Sequence, residues 1–484
     1  MKPNPEPPLV VLLGLPFHDL TLEETLDWCR TRMHGHDPGY AVTANVDFTT
    51  QAYEDADLKK IVFFADRVVC DGMPLVWLSR VFGRPLRERV AGSDMVPRLL
   101  EICAEENLGV YFFGSDMGTL KEAKVIVEQR FPGLRVAGMD SPPVGAVIDW
   151  DNEALCRQMR ASGASLLLVC LGCPKQERWI FAHHRETGIP LSIGVGASLD
   201  FIAGKQKRAP VWMRKTGLEW FWRMSSNPSR LVSRYGKDLL FLTKAAIGQA
   251  WAQRRRVDIA DTSAVRAHGA APGIQVERII WSGELQKSDL SGAPLPAGTD
   301  LPLLLDASQV TFMDSSGLGR LAGVVRNCRA VGRHLVVAAP SRAFRDTVAS
   351  AKMESLFPIA SDEPDAMKTL ASLANRSTPR DIVAEGARWL AFEGSLDALQ
   401  HDQMASALDE SIAKMDSGES LVIDLRAVDF IDSRAVGGLV RALKLVSAKG
   451  GRMFLHGAGA SVREIISLLR LDKLLPEWKG GSPA

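Results

Sequence analysis

Short apolar runs alternate with amphipathic stretches over residues 9–200, and this alternation is the clearest structural signal in the chain. The runs predict strands that are apolar on both faces, and the stretches between them have helical spacing. Buried strands alternating with helices indicate a largely parallel sheet covered by helices. We therefore predict an α/β, Rossmann-like domain over 1–203. Its strands are expected at 10–15, 41–45, 68–71, 110–113, 134–138, 165–171 and 191–196, with a capping-box helix from Thr21 to about Arg32.

The predicted strands share one feature, which is that they end in polar or glycine-rich residues. Because the carboxyl ends of parallel strands meet at one edge of a sheet, these residues are expected to lie together. The pattern favours a nucleotide-type ligand at that edge. The residues are Thr43 and Asn45, Asp71 and Gly72, Gly114 and Ser115, Gly172 with Pro174-Lys175-Gln176-Glu177, and Gly194 and Gly196 with Asp200.

Asp71 ends a short apolar run and is followed by a glycine and, two residues later, a proline. A carboxylate at a strand end can be half-buried, with its pKa shifted toward use as a base. The alternative is that Asp71 only caps the next helix. Both interpretations stay open at this point.

Two further motifs have both a functional and a structural interpretation. The loop Gly114–Gly118 precedes a helix and could bind phosphate through backbone N–H groups and the helix dipole, although glycines also simply make turns. The sequence Asp55-Ala56-Asp57 resembles a divalent-metal motif of sugar-nucleotide transferases. Acidic residues are also favoured at helix starts, and we favour that interpretation for a helix over 55–64.

Residues 204–256 interleave basic and aromatic side chains and contain few acids. This pattern suits nucleic acid or an anionic membrane interface, and its helical apolar stripe and tryptophans favour the membrane. Helices packed against the sheet are the structural alternative. The residues expected to contact the membrane are Arg208, Arg214, Trp220, Arg223, Arg230 and Arg234.

A linker is predicted over 257–273, and the remaining chain contains a repeat. The segment from Asp306 to Ser315 recurs 118 positions later, from Asp424 to Ser433. Repeats of this length indicate paired domains and not a solenoid. We place one domain over 274–374 and the other over 375–484.

Composition narrows the functional class only slightly. The 484 residues have 46% hydrophobic and 24% charged content, with 58 basic and 57 acidic residues, so net charge does not indicate nucleic-acid binding. Seven scattered cysteines are typical of reduced thiols in a cytoplasmic protein. The start lacks the pattern of a signal peptide, and no apolar run approaches the ~20 residues of a membrane span.

A series of spaced motifs over about the first 245 residues resembles the WecG/TagA/CpsF family of bacterial glycosyltransferases (family 26). The motifs are Thr43-x-Asn45, Asp71-Gly72-Met73, Arg89-Val90-x-Gly92-x-Asp94, Gly172-x-Pro174-Lys175-Gln176-Glu177, Gly194-Val195-Gly196 with Asp200 and Gly204-Lys205, Arg208-Ala209-Pro210, and Gly217-Leu218-Glu219-Trp220 with Pro228, Arg230 and Tyr235.

The resemblance implies an inverting transfer from a UDP-sugar to an undecaprenyl-diphosphate-linked saccharide, without a metal or other cofactor, at the inner face of the cell membrane. It implies that Asp71 is the general base. It places Thr43, Asn45, Arg89 and Gln176 in catalysis or binding, with Arg89 steadying diphosphate charge. Substrate contacts are expected from Gly72, Asp94, Gly114, Ser115, Lys175, Gly196 and Asp200. The resemblance also implies that the basic, aromatic residues of 204–256 dock the enzyme on the membrane and contact its lipid-linked acceptor. Relatives often carry Gly-Tyr-Phe where this chain has Ser141-Pro142-Pro143 and frequently glycine where it has Ala197, so the donor sugar is left open among N-acetylmannosamine, its uronic acid and a hexose.

The two repeats resemble STAS domains, the fold of anti-sigma-factor antagonists. In that family the serine after the aspartate is phosphorylated, which implies Ser315 and Ser433 as phosphorylation sites and a kinase or regulator as partner. A purely structural docking role is the alternative. A non-catalytic regulatory scaffold acting through these domains is the alternative function for the whole chain, and a homo-oligomer is compatible with either.

Overall fold

A computed structural model provides the structure of the chain. It describes residues 7–205 apart from 83–84, 146 and 148–149, isolated positions between 209 and 243, and then 267–286 without 272–273, 296, 299, 301–374, 379–396 without 385, 401–459 without 432, and part of 462–480. The chain forms two compact units. One comprises residues 1–144 with 151–370, and the other comprises 145–150 with 371–484.

The N-terminal domain is built on a six-stranded parallel sheet with the strand order β4-β3-β8-β7-β5-β6. This confirms the predicted α/β class. Its elements are β1 (Leu9–Leu12), β2 (Leu15–His18), α1 (Leu22–Met33), β3 (Gly39–Ala44), α2 (Val46–Glu54), α3 (Ala56–Phe63), β4 (Arg67–Cys70), α4 (Met73–Val81), α5 (Gly92–Glu105), β5 (Gly109–Gly114), α6 (Met117–Arg130), β6 (Arg135–Asp140), α7 (Asn152–Ala161), β7 (Leu166–Cys170), α8 (Lys175–Thr187), β8 (Leu191–Gly194) and α9 (Ser198–Ile202).

Local sequence explains why several of these helices begin where they do. Thr21 accepts a hydrogen bond from the Glu24 amide, and the Glu24 carboxylate accepts one from the Thr21 amide, so the predicted capping box is present. Asn45, Asp55 and Asp116 cap α2, α3 and α6 with their side-chain oxygens. The helix faces then bury apolar side chains such as Leu99 against the sheet.

The prediction that residues 10–15 form one strand of the parallel sheet is wrong. Residues 10–15 do not join the parallel sheet but form an antiparallel hairpin, in which β1 pairs with β2 from Leu9 opposite His18 to Leu12 opposite Leu15. Leu13 and Gly14 make the turn with φ of 52° and 80°. A two-residue hairpin needs this left-handed backbone, which glycine supplies readily and leucine rarely does. The apolar run therefore turns back on itself.

The first repeat has a five-stranded sheet with the strand order β13-β12-β11-β10-β9. Its elements are β9 (Ala267–Ala271), β10 (Ile274–Leu285), β11 (Leu303–Met313), α10 (Ser315–Ala330), β12 (Leu335–Ala338), α11 (Arg342–Ser350), the 3₁₀ turn Glu354–Leu356, β13 (Ile359–Ala360) and α12 (Glu363–Ala374). The linker predicted over 257–273 is wrong for Ala267–Ala271, because this segment pairs antiparallel with β10 as an edge strand. Its small residues lack the apolar alternation by which strands are predicted from sequence.

The second repeat contains β14 (Arg380–Ala384), β15 (Ala387–Leu396), α13 (His401–Ala413), β16 (Ser420–Ile431), α14 (Ser433–Ala448) and β17 (Met453–His456), with the strands in that spatial order. Backbone hydrogen bonds recur at the 118-residue offset. Val337 N donates to Pro358 O at 3.0 Å, and Leu455 N donates to Pro476 O at 3.1 Å. The two repeats therefore share register as well as sequence.

Candidate active site

The carboxyl ends of β4, β3, β8, β7 and β5 lie next to one another along one edge of the N-terminal sheet, which we call the rim. This is the edge at which α/β sheets bind their ligands. The strand ends that the sequence predicted to converge are those of this row. The rim therefore brings Asp71, Thr43, Gly196, Gly172 and Ser115 to one side of the domain.

Asp71 and Asn45 follow two neighbouring strands. The Asp71 backbone amide donates to Ala44 O at 2.9 Å, so the loop after β4 is tied to the end of β3. Gly72 is the N-cap of α4, and a Cβ there would lie 3.7 Å from the Asn45 Cα. Asn45 accepts from the Phe48 amide at 3.0 Å and so has a capping role. The N-cap of α4 is Gly72 and not Asp71, and the base assignment stays a prediction.

Thr43 and the loop after Cys70 form the next corner of the rim. Thr43 Oγ1 donates to Gly194 O at 3.4 Å, which links β3 to β8. A Cβ on Gly92 would come 3.4 Å from Thr43 Oγ1, so the start of α5 lies against the same side chain. Val90 N donates to Cys70 O at 2.8 Å and holds the preceding loop beside Asp71.

Arg89 and Asp94 are brought to this corner as a pair. The Arg89 guanidinium lies 2.8 Å from the Asp94 carboxylate, and the Arg89 side chain is 13% exposed. The pair fixes the direction of the guanidinium before any ligand binds. A charge-assisted bond of this kind is stronger than one between neutral groups. The role of Arg89 at the diphosphate stays a prediction.

Gln176 links two loops at the centre of the rim, and we call this pair of hydrogen bonds the brace. Its Oε1 accepts from the amides of Gly172 at 3.2 Å and Gly196 at 3.1 Å, so it joins the loops after β7 and β8. Its Nε2 donates to Glu177 at 2.7 Å. A Cβ on Gly194 would come 2.6 Å from this nitrogen, so Gly194 must lack a side chain. Since both ends of the amide are engaged by the protein, the geometry favours a positioning role over a catalytic one.

Glu177 is a rim residue to which the sequence analysis gave no role. It is 3% exposed on the first turn of α8, and burial raises the pKa of its carboxyl to about 7, although the Gln176 amide acts in the opposite direction. A signal was present, because a second polar residue follows Gln176 directly after a buried strand. Lys175, predicted to bind substrate, begins the same helix and is partly exposed.

Several groups in the loop after β5 that could contact a phosphate already hydrogen-bond to other residues of the protein. Gly114 and Ser115 have φ of 98° and 61°. The Ser115 hydroxyl donates to Asp200 at 3.1 Å. Asp116 caps α6 by accepting from the Thr119 amide at 2.9 Å, and bonds from Thr119 lower the pKa of this carboxyl to about 2. The Asp116 carboxylate therefore already occupies the start of this helix, and phosphate binding by Gly114 and Ser115 stays a prediction.

Comparison with known proteins decides the family. A profile described as the glycosyl transferase WecG/TagA/CpsF family matches residues 10–256, and a STAS domain profile matches residues 255–366 and 379–479. The chain belongs to the WecG/TagA/CpsF glycosyltransferase family. Its C-terminal repeats are STAS domains. We call residues 1–203 the transferase domain from here on.

Curated relatives carry one shared name, N-acetylglucosaminyldiphosphoundecaprenol N-acetyl-beta-D-mannosaminyltransferase. A protein of Bacillus spizizenii strain W23 is 30% identical over 191 residues, covering 40% of this chain and 72% of the relative. One from Bacillus subtilis strain 168 is 26% identical, covering 45% and 83%. One from Staphylococcus aureus strain MW2 is 26% identical, covering 49% and 92%. The predicted enzyme class, glycosyltransferase, is confirmed.

Among solved structures, an anti-sigma factor antagonist from Mycobacterium paratuberculosis is 25% identical to this chain, covering 22% of it and 89% of that protein, with a TM-score of 0.20.

Several predicted residues lie outside the described residues, namely Arg208, Arg214, Trp220, Arg223, Arg230 and Arg234. The prediction that they contact a membrane or a lipid-linked acceptor stays a prediction. Within the described part of the chain, no helix combines the length and apolar character needed to cross a membrane.

The D-x-D motif has the structural role that the sequence favoured. Asp55 caps α3 by accepting from Leu58 N at 2.9 Å and pairs with Arg178 at 2.5 Å. Burial, with Asp55 nearby, raises the pKa of Asp57 to about 6.

Among the described residues, one group has metal-ligand spacing, with ligand atoms within 4.8 Å of one another: Cys156, His183 and Glu186. It lies on α7 and α8, and His183 already bonds Glu186 at 3.0 Å.

The two predicted phosphorylation serines differ in what the structure describes. Ser315 begins α10 and is fully buried, and Asp314 caps that helix by accepting from the Ser316 and Gly317 amides at 2.6 and 3.2 Å. Ser433 begins α14, but its side chain lies outside the described part. Phosphorylation at either serine stays a prediction.

Proposed function

We propose that this enzyme transfers a sugar from a UDP-sugar to an undecaprenyl-diphosphate-linked saccharide, with inversion at the anomeric carbon. The observation that supports it most directly is the corner of the rim at which Asp71, Thr43 and the Arg89–Asp94 pair meet. One acid after β4 and one oriented cation in the loop held beside it suit a reaction that takes up a proton and releases an anion.

In the proposed reaction, the acceptor hydroxyl oxygen attacks the anomeric carbon from the face opposite the diphosphate. The bond between that carbon and the UDP oxygen breaks, and its electron pair leaves with UDP. Asp71 takes the proton from the attacking hydroxyl. Arg89 and backbone amides near Gly114 stabilise the charge that develops on the diphosphate. The step needs no metal, and we propose that none takes part.

The names of the relatives support UDP-N-acetylmannosamine as the donor and N-acetylglucosaminyl-diphospho-undecaprenol as the acceptor to test first. We further propose that the enzyme works at the inner face of the cell membrane, in cell-surface polysaccharide synthesis. The basic, aromatic residues of 204–256 would hold the transferase domain beside its lipid-linked acceptor. The STAS domains would serve regulation or docking.

The full chain should be incubated with each radiolabelled UDP-sugar and a lipid-diphosphate-linked N-acetylglucosamine, with and without a chelator. We expect a lipid product longer by one sugar from UDP-N-acetylmannosamine, at a rate that the chelator changes less than about twofold. Transfer from no UDP-sugar would contradict the proposal. Phosphorylation of Ser315 or Ser433 without any transfer would instead support the scaffold.

A further inference from the structure

The first STAS domain and the transferase domain share one hydrophobic core. Leu9 and Val11 of β1 and Phe63 of α3 are buried in the same cluster as Trp281 and Leu318 of the STAS domain. All five side chains are at most 8% exposed. The apolar hairpin β1–β2 is therefore covered by the STAS domain, and its burial stabilises the contact between the two domains.

Polar contacts fix the orientation of this interface. Lys59 is 2% exposed and donates from Nζ to Lys352 O at 2.9 Å. Arg326 on α10 donates to Phe63 O at 2.6 Å and to Asp66 O at 3.3 Å. These side chains hydrogen-bond to carbonyl oxygens at the interface. Without them, the oxygens would be buried with no hydrogen-bond partner, which costs free energy.

Two glycines permit the close approach, one from each side. A Cβ on Gly319 of α10 would lie 2.4 Å from Leu9 O. A Cβ on Gly14 of the hairpin would lie 2.1 Å from Ala351 O. No side chain fits at either position without moving backbone, so the sequence of each domain is adapted to the other.

Ser315 contacts the C-terminal end of α4, the helix that begins at the rim. Its hydroxyl donates to Phe82 O at 3.3 Å, and the side chain is fully buried. Phe82 is the C-cap of α4, while Asp71 and Gly72 immediately precede the first turn of α4. The nine residues of α4 span about 13 Å at 1.5 Å per residue, so one short helix connects the serine contact with the proposed base.

We propose that the docked first STAS domain supports α4 by holding its C-terminal end in place. A negative charge on Ser315 would disrupt this contact and displace Asp71 at the other end of α4. The carbonyl groups at the C-terminal end of a helix carry partial negative charge, so an anion in place of the hydroxyl is repelled by Phe82 O. The start of α10 compensates only in part, because Asp314 already bonds two of its amides. The displacement of Asp71 rests on the proposed function, whereas the support of α4 does not.

A consequence concerns access to Ser315. While the two domains are docked, the hydroxyl is sealed from solvent by the transferase domain. The surface that the STAS resemblance assigns to an external partner is thus occupied within the same chain. A kinase or regulator reaches Ser315 only after this interface opens.

The test compares Ser315→Asp with Asn327→Asp in the full-length chain. Both add one carboxylate to α10, but Asn327 is exposed. We measure amide hydrogen exchange of the α4 peptide, together with kcat and KM for the UDP-sugar. Ser315→Asp should speed exchange in α4 about tenfold or more and lower kcat about tenfold with KM for the donor changed less than twofold, whereas Asn327→Asp should match wild type.

Arg326→Gln provides a second route if Ser315→Asp does not fold, because it removes both donors to Phe63 O and Asp66 O. It should give the same loss of kcat at constant KM. Unchanged exchange in α4 for both variants would overturn the support. Faster exchange with unchanged kcat would overturn the link to Asp71. Absence of transfer by the wild-type enzyme would contradict the proposed function, and the exchange measurement would still decide whether the STAS domain supports α4.

Discussion

The Gln176 amide donates to the Glu177 carboxylate at 2.7 Å, and both side chains are buried at the rim. Burial raises the pKa of Glu177 to about 7, compared with the ordinary value of 4.5 that applies in the unfolded chain. The folded state therefore holds a proton that the unfolded state releases between about pH 4.5 and 7. Stability due to this group is lost as the pH rises through that range.

Replacing Glu177 with Gln removes this titration. Relative to wild type, Glu177→Gln should stabilise the chain at pH 8, by up to about 3 kcal/mol for the pKa difference, and have little effect at pH 4.5. Urea unfolding at both pH values measures the difference. Glu105→Gln, an exposed position, is the control and should show no such pH dependence. An equal effect of Glu177→Gln at both pH values would disprove the buried titration.

Gln176→Met tests the brace between the loops after β7 and β8. Methionine has a similar length but cannot accept from the Gly172 and Gly196 amides. Leaving two partly buried amides without an acceptor should cost at most about 1–3 kcal/mol each and lower turnover as the two loops separate. Thermal unfolding and initial rates measure these effects. A variant as stable and active as wild type would show that the brace is dispensable.

Arg89→Met tests the cation at the corner of the rim. Loss of the guanidinium should lower kcat/KM for the UDP-sugar at least about tenfold, since no other side chain there is proposed to oppose diphosphate charge. Arg98→Met is the control, because Arg98 is a surface arginine that pairs with Glu23 and Glu101. Equal losses in the two variants would remove Arg89 from the proposed mechanism.

The membrane role predicted for 204–256 is tested by a triple change of Arg223, Arg230 and Arg234 to Gln. Each basic residue near an anionic surface is worth about 1 kcal/mol, so binding to vesicles containing phosphatidylglycerol should weaken at least about tenfold. The control changes three arginines of the transferase domain to Gln: Arg30, Arg98 and Arg157. Flotation assays that find equal binding for the two triple variants would argue against a membrane-docking segment.

The rim could be predicted from sequence because it depends on local patterns. Buried strands such as Val110–Phe113 are recognisable by their apolar residues, and a parallel sheet necessarily aligns their carboxyl ends. The helix start at the D-x-D motif could be predicted in the same way, and Asp55 caps α3 there. These inferences need only the neighbouring residues and the direction of the strands.

The contact between the transferase and first STAS domains could not be predicted in this way. It joins residues such as Leu9 and Leu318, which lie far apart in the chain, and burial periodicity does not tell which surface covers which. Because the pattern does not show which surface covers an apolar run, the prediction for residues 10–15 was also wrong. Their apolar run is buried because another domain covers the hairpin, whereas the pattern alone indicated a strand inside the parallel sheet.

The role of Asp71 as the base is the central claim, and one variant tests it directly. Asp71→Asn keeps the size of the side chain but cannot accept the acceptor's proton, so it should lower kcat for sugar transfer at least ~10²-fold. Binding of the UDP-sugar, measured by calorimetry on the same preparation, should stay within about twofold of wild type. Transfer by Asp71→Asn at the wild-type rate, with the UDP-sugar bound equally well, would contradict the account.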